Sequence, residues 1–147
     1  MSTDEKITAD IMKTLENGRL GYERAAERVR EEHPETATKL RAAASDRAQL
    51  YTELQTIAAT YGDQIEESGS LTGALHRGWM TVKDAFTSSD VEAVIEAAKT
   101  GEDHAIEEYQ DALKTDISAE FRPVLERQLA SVKAARANLS AMVGALT

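Results

Sequence analysis

The stretch that decides the fold is SDVEAVIEAAKTGEDHAIEEYQDALKT, residues 89–115. Its apolar residues recur at spacings of three and four, which places them on one face of a helix. They are Val91, Val94, Ile95, Ala98, Ala105, Ile106, Tyr109 and Leu113. Ser89 and Asp90 supply an N-terminal capping signal. One acid, Glu102, falls on the apolar face. The stretch therefore predicts a long helix with a carboxylate directed at the core.

The same helical periodicity extends in both directions along the chain. It predicts helices over about residues 4–33, 34–62, 71–87, 89–115 and 118–146. Four of these are long, at about 28 residues or about 40 Å for a rise of 1.5 Å per residue. Only two prolines and eight glycines interrupt the 147 residues. We therefore expect an all-α chain whose single domain, residues 1–147, is a four-helix bundle.

The lengths of the connections predict the topology. The junctions near residues 34 and 116 are short, so each should join an antiparallel hairpin of helices. Residues 62–88 are longer than a turn requires and can travel back along the bundle, with a short fifth helix over 71–87. Two antiparallel hairpins joined by a long crossover form the ferritin-like connection. We expect this topology rather than a simple up-down-up-down bundle.

Composition excludes several classes of function. The chain has 17 Lys and Arg against 26 Asp and Glu, a net charge of −9, so we expect neither a nucleic-acid nor a membrane partner. It has no cysteine, which excludes disulfides, thiolate catalysis and zinc–thiolate sites. The acidic start, Met1–Glu5, lacks an apolar signal region, so we expect a cytoplasmic protein.

A di-metal site is the first chemistry to test in such a bundle. It requires a Glu from each of two helices and a Glu-x-x-His from each of the other two, ligands that suit iron or manganese. The candidate metal ligands are Glu23, Glu53 and Glu102, which lie on or beside apolar faces. None of the three histidines follows a glutamate at the required spacing. We therefore expect no cofactor, with iron or manganese as the alternative.

A buried polar layer is the other use for these side chains. If the second and fourth predicted helices begin at the same end of the bundle, Arg47 is level with Glu102, and Leu20 and Ala130 are roughly level on the other two. A guanidinium beside a carboxylate makes two hydrogen bonds and competes with a metal cation for the same space. We prefer this interpretation. The predicted layer comprises Tyr22, Arg47, Glu102 and Gln128.

Two further groups of polar residues lie outside this layer, one in the predicted crossover and one around His104. His76, Arg77 and Trp79 lie in the predicted crossover, and we expect them to anchor it against the bundle, with a pocket as the alternative for His76. His104 and the two glutamates that follow it at helical spacing are a weaker candidate for an exposed metal clip. The chain has no phosphate-binding loop and no nucleophile elbow. We assign no catalytic residue and do not expect an enzyme.

Several collinear motifs carry a resemblance to a known family. They are Gly21-Tyr22-Glu23-Arg24-Ala25-Ala26, Asp46-Arg47, Glu53-Leu54-Gln55, Ser68-Gly69-Ser70, Leu75-His76-Arg77-Gly78-Trp79-Met80, Gly101-Glu102-Asp103 with Tyr109, and Glu126-Arg127-Gln128 with Val132. From about residue 8 to 140, the chain resembles a bacterial family of ferritin-like four-helix-bundle proteins catalogued as a domain of unknown function.

The resemblance implies an architecture similar to rubrerythrin-like proteins and no settled reaction. Its characteristic positions are Tyr22, Arg47, His76, Arg77, Trp79, Glu102, Tyr109 and Gln128. It also implies a histidine near position 136, where this chain has Arg136. That departure argues against a metal or proton-transfer role for the last helix.

Two functions follow as hypotheses. The first is a non-catalytic bundle, with a stress-associated role as one candidate, that acts through self-association or by binding a protein partner. The second is a carboxylate-bridged di-iron or di-manganese protein of the rubrerythrin type. An alanine-rich face allows close approach of helices, so we expect a homo-oligomer, with a dimer favoured. The residues of this alanine-rich face are Ala42, Ala43, Ala44, Ala58 and Ala59.

Overall fold

The computed structural model describes residues 2–61 and 90–146, which are 88% helical and contain no strand. The four helices are α1 (Thr3–Val29), α2 (Pro34–Ala58), α3 (Val91–Leu113) and α4 (Arg122–Leu146), and a 3₁₀ turn (Ala59–Tyr61) follows α2. The all-α prediction is therefore confirmed for this part of the chain. The predicted fifth helix over 71–87, with His76, Arg77 and Trp79, lies outside the described residues.

Local capping signals set the starts of three helices. The Ser2 hydroxyl accepts a hydrogen bond from the backbone N–H of Glu5 at 3.2 Å, at the start of α1. The Asp90 carboxylate accepts one from the N–H of Glu92 at 3.0 Å, at the start of α3. Pro34 opens α2, where its missing N–H costs no helical hydrogen bond. These ends depend on short-range chemistry that the sequence displays directly.

The last helix begins at Arg122, four residues after the predicted start at Ser118. The backbone N–H of Ser118 donates to a carboxylate oxygen of Asp4 at 2.9 Å, and the Ser118 hydroxyl accepts from the N–H of Phe121 at 3.2 Å. Ser118 thus belongs to the turn between α3 and α4 and attaches that turn to the start of α1. A turn capped by Ser118 therefore precedes the regular helix.

The two apolar clusters of the core reveal the directions of the helices. One cluster contains the starts of α1 and α4, represented by Ile11 and Leu125, and the ends of α2 and α3, represented by Leu54 and Ala112. The other contains the opposite ends, represented by Val29, Leu139, Leu40 and Ile95. Consequently α2 and α3 run parallel to each other and antiparallel to α1 and α4. Tyr61 and Asp90 lie at opposite ends of the bundle.

Packing between neighbours is uneven around the bundle. α1 packs closely against α2, α3 packs against α4, and α1 also packs along α3, whereas α2 meets α4 at few points. Among residues 2–61 and 90–146, no helix is both long and apolar enough to cross a membrane. Among the residues that the structure describes, three pairs of neighbouring helices therefore pack closely, and the fourth pair, α2 and α4, is separated by an open seam. A polar cluster lies where the two apolar clusters meet.

Candidate functional site: a buried polar cluster

The centre of the bundle holds an arginine–glutamate pair joined by a tyrosine. Nη1 of Arg47 on α2 donates to Oε1 of Glu102 on α3 at 2.8 Å, and Nη2 donates to Oε2. The hydroxyl of Tyr22 on α1 donates to Oε2 of the same carboxylate at 2.8 Å. The side chains of Arg47 and Glu102 are 2% and 0% exposed. We call these three residues the central cluster.

Two features of α1 accommodate the guanidinium. Its carbon lies 5.6 Å from the centroid of the Tyr22 ring, within the range of a cation–π contact. Beside it, Gly18 presents bare backbone, and a Cβ placed there would lie 3.5 Å from Nη1 of Arg47. A larger side chain at position 18 would occupy the space of the guanidinium. A Cβ alone would make ordinary van der Waals contact with the guanidinium, so the space beside the charge would be closed by a side chain longer than that of alanine.

The sequence placed Leu20 and Ala130 roughly level with the pair on the two remaining helices, but a residue at the same level need not contact it. Leu20 is 37% exposed and Ala130 is also exposed, so neither faces the pair. Gly18 and Tyr22 are the α1 residues that contact it. Counting residues along the helix axes gives height but no rotation, and the rotation of α1 places residues 18 and 22 inward. A glycine at helical spacing between Leu15 and Tyr22 was the signal for this close approach.

The central cluster is a charged pair held away from water. Burial raises the pKa of Glu102, and the Arg47 charge and the hydrogen bonds from Arg47 and Tyr22 oppose that rise. Burial disfavours the charge of Arg47, but the attraction of Glu102 prevails and raises the arginine pKa. Every group that contacts the Glu102 carboxylate is a donor, so the geometry fits its ionised form. Burial also raises the pKa of Tyr22 well above its ordinary value.

Gln128 lies in a second polar cluster, about two helical turns from the first. Its amide oxygen accepts a hydrogen bond from the Tyr109 hydroxyl at 2.8 Å. Its amide nitrogen donates to Oε1 of Glu53 at 2.6 Å and to the carbonyl of Leu50 at 3.3 Å. Arg127 binds the other oxygen of Glu53. The residues predicted as one layer therefore occupy two levels, and Tyr109 joins the second.

The second cluster opens to solvent, unlike the first. Tyr109 and Gln128 are fully buried, but the side chains of Glu53 and Arg127 are 33% and 56% exposed. Burial tends to raise the pKa of Glu53, and the hydrogen bonds from Arg127 and Gln128 outweigh it, so that the pKa is lowered. We call these four residues the outer cluster. Arg127 belongs to a motif quoted from the sequence, Glu126-Arg127-Gln128, but it received no role there because its partner Glu53 lies 74 residues away.

The three candidate metal ligands are not brought together. Glu102 binds Arg47 and Tyr22, Glu53 binds Arg127 and Gln128, and Glu23 binds Arg19 on the outside of α1 at 2.8 Å. Among residues 2–61 and 90–146, no group of three or more His, Cys, Asp or Glu side chains could hold a metal ion. That includes His104 and its neighbouring glutamates. The donors present in these ranges do not fit a di-metal centre.

Two other sequence features have clear places in the structure. Arg136 forms an exposed pair with Asp103, through Nε to one carboxylate oxygen and Nη2 to the other, the latter at 3.3 Å. Of the alanines expected on one face, Ala44 and Ala58 are core residues, whereas Ala42 and Ala43 line the open seam between α2 and α4. The alanine-rich run is therefore divided between the core and the surface.

Comparison with known proteins adds the family. The family described as Domain of unknown function (DUF2383) matches residues 6–115, a range that contains the whole central cluster. No curated protein and no solved structure matched the chain. The resemblance to a domain of unknown function is thus confirmed at the level of the family. The chain belongs to the DUF2383 family.

Proposed function

We propose that this protein is a non-catalytic bundle of the ferritin-like type that acts through self-association. In this proposal, the central cluster occupies the position that a di-metal centre takes in metal-binding members of that architecture. The observation that carries the proposal is the buried pairing of Arg47 with both oxygens of Glu102. The ion pair uses the carboxylate that the sequence places best for a metal.

The ferritin-like assignment is supported by the directions of the helices. α1 with α2 and α3 with α4 are antiparallel hairpins, and α2 runs parallel to α3. A bundle of this kind requires one connection that spans its length, as ferritin-like folds have. The same argument supports the distant relation to rubrerythrin-like proteins, since both share this architecture.

The absence of catalysis is supported by the chemistry of the cluster. A metal pair needs several carboxylates that face one another across a cavity. Here, a guanidinium fills that space and supplies a permanent positive charge. Arg47, Glu102 and Tyr22 use their polar atoms on one another and have at most 2% exposure. Tyr22 also lines the open seam between α2 and α4, but it is fully buried and its hydroxyl donates to Glu102.

Metal analysis tests the non-catalytic part of the proposal. The protein is produced in medium supplemented with iron and manganese, purified without chelators, and compared with Glu102→Gln and with Glu96→Gln, a matched change at an exposed glutamate of the same helix that is not a candidate ligand. We expect no stoichiometric metal in any of the three. Two metal ions per chain in the wild type and the Glu96→Gln variant, lost in a folded Glu102→Gln variant, would contradict the proposal. That result would favour the di-iron or di-manganese alternative.

Self-association has a separate test. Light scattering coupled to size-exclusion chromatography, from low to high micromolar protein, should give a mass of about two chains, since symmetric dimers are the commonest assembly. A single-chain mass over the whole range would show that self-association is wrong. The metal result does not depend on this outcome.

A further inference from the structure

Within the described ranges, the open seam between α2 and α4 forms a cleft of about 590 Å³. We call it the α2–α4 cleft. Its α4 side extends from Ser131 to Ala145, about 21 Å along the helix. Short side chains predominate in its lining, and Leu139 and Met142 add apolar surface. The short residues are Ala42, Ala43, Ser131, Ala134, Ala135, Ala141 and Ala145. A helix can approach such a surface at the short interaxial distance of about 8 Å.

Two opposite charges flank the middle of the α2 side of this cleft. Lys39 and Asp46 both line it, seven residues or about two turns apart, and both are exposed. Neither forms an ion pair with another residue in 2–61 or 90–146. Ala42 and Ala43 lie at the midpoint between them. The face therefore carries one charge of each sign, placed symmetrically about a small-residue centre.

We propose that the α2–α4 cleft binds the same face of a second copy of this chain. The two α2 helices cross antiparallel about a two-fold axis near Ala42 and Ala43. Lys39 of each chain then faces Asp46 of the partner subunit, which makes two equivalent ion pairs. This inference rests on the proposed self-association and specifies its surface.

The pattern favours a second copy over an unrelated partner. A two-fold interface uses the same patch on both chains, so the patch must be complementary to itself. A positive and a negative residue at equal distances from a small-residue centre meet that condition when the helix is reversed. The net charge of −9 opposes general association of two copies. A local pair of opposite charges offsets that repulsion at this face.

Charge reversal tests the geometry. Lys39→Asp places two acidic side chains opposite each other at both symmetric positions, and Asp46→Lys does the same with two basic ones. Each single variant should dimerise about tenfold or more weakly than the wild type, since two pairs are lost and two repulsions are gained. The double variant, Lys39→Asp with Asp46→Lys, should recover the wild-type association.

Mixing the two single variants tests most directly whether position 39 of one chain faces position 46 of the other. In a mixed dimer, every acidic position of one chain faces a basic position of the other. An equimolar mixture of the Lys39→Asp and Asp46→Lys proteins should therefore form heterodimers, seen by native mass spectrometry, at concentrations where each protein alone is monomeric. Circular dichroism checks that both variants keep their helices.

A matched control is available on α4. Glu126 and Lys133 have the same seven-residue spacing and are exposed, and neither lines the α2–α4 cleft. Glu126→Lys and Lys133→Asp should leave the dimer constant within about twofold of the wild type. Equal weakening by these controls would show a general effect of charge and would overturn the proposed surface.

The outcomes separate this inference from the proposed function. A dimer that both reversals leave unchanged, or single variants that fail to form heterodimers, would overturn the α2–α4 surface while self-association stands. A wild-type protein that is monomeric at all concentrations would overturn both. Weakening by the single reversals, recovery in the double variant and heterodimers in the mixture would together support the proposal.

Discussion

The central and outer clusters use similar side chains in two different environments. In each, a glutamate binds an arginine and receives a further hydrogen bond from a buried side chain, Tyr22 in one and Gln128 in the other. The central pair is at most 2% exposed, whereas Glu53 and Arg127 are 33% and 56% exposed. Because water can replace a lost partner only in the outer cluster, the same change should have unequal costs.

We expect the largest effect on stability from removing the positive charge of Arg47 in the central cluster. Arg47→Met leaves the Glu102 carboxylate buried beside Tyr22 without its counter-charge, which should lower the free energy of unfolding by about 3–5 kcal/mol. Urea denaturation followed by circular dichroism measures the change. Arg127→Met at the outer cluster is the matched control and should cost about 1 kcal/mol or less.

A double variant distinguishes an unpaired charge from lost packing. Arg47→Met combined with Glu102→Leu removes both charges and should recover a large part of the stability that Arg47→Met loses. If the double variant is less stable than Arg47→Met, the penalty does not come from the isolated carboxylate, and our comparison of the two clusters is wrong.

The two tyrosines provide an intermediate effect. Tyr22→Phe removes a hydrogen bond to an ionised carboxylate, which should cost about 1.5–3 kcal/mol. Tyr109→Phe removes one to the neutral amide of Gln128, which should cost about 0.5–1.5 kcal/mol. Both rings remain in place, so packing changes little. Equal costs in thermal or urea denaturation would indicate that the Glu102 carboxylate is not charged in the folded protein.

We expect the smallest effect in the pH dependence of folding stability that the outer cluster contributes. The pKa of Glu53 is lowered from its ordinary value of 4.5 in the folded protein. Its contribution to stability is therefore present above pH 4.5 and is lost as the pH falls through the folded pKa. Glu53→Gln should weaken the dependence of the free energy of unfolding on pH in this range. Arg127→Gln removes the partner of Glu53 and should weaken the same dependence. Stability measured between pH 6 and 3 tests this, and a change confined to pH above 5 would contradict it.

Part of the candidate site could be predicted from the sequence. Glu102 occupies an inward position of α3 because the apolar spacing around it sets that face, and counting from the helix starts places Arg47 at its level. The division into two clusters was not predictable in this way. Gln128 also faces the core, but its partners, Tyr109 and Glu53, depend on how α4 is shifted along α3 and α2.

What the sequence alone determined is local: the helices, the starts of α1, α2 and α3, and the face of each helix that turns inward. These follow from hydrogen bonds and side-chain spacing within a few residues of each position. Only the tertiary structure shows which inward side chains meet. It places Gly18 beside Arg47 and leaves the seam between α2 and α4 open among the described residues. The rotations and axial shifts of whole helices set those contacts, and they result from packing of the entire core.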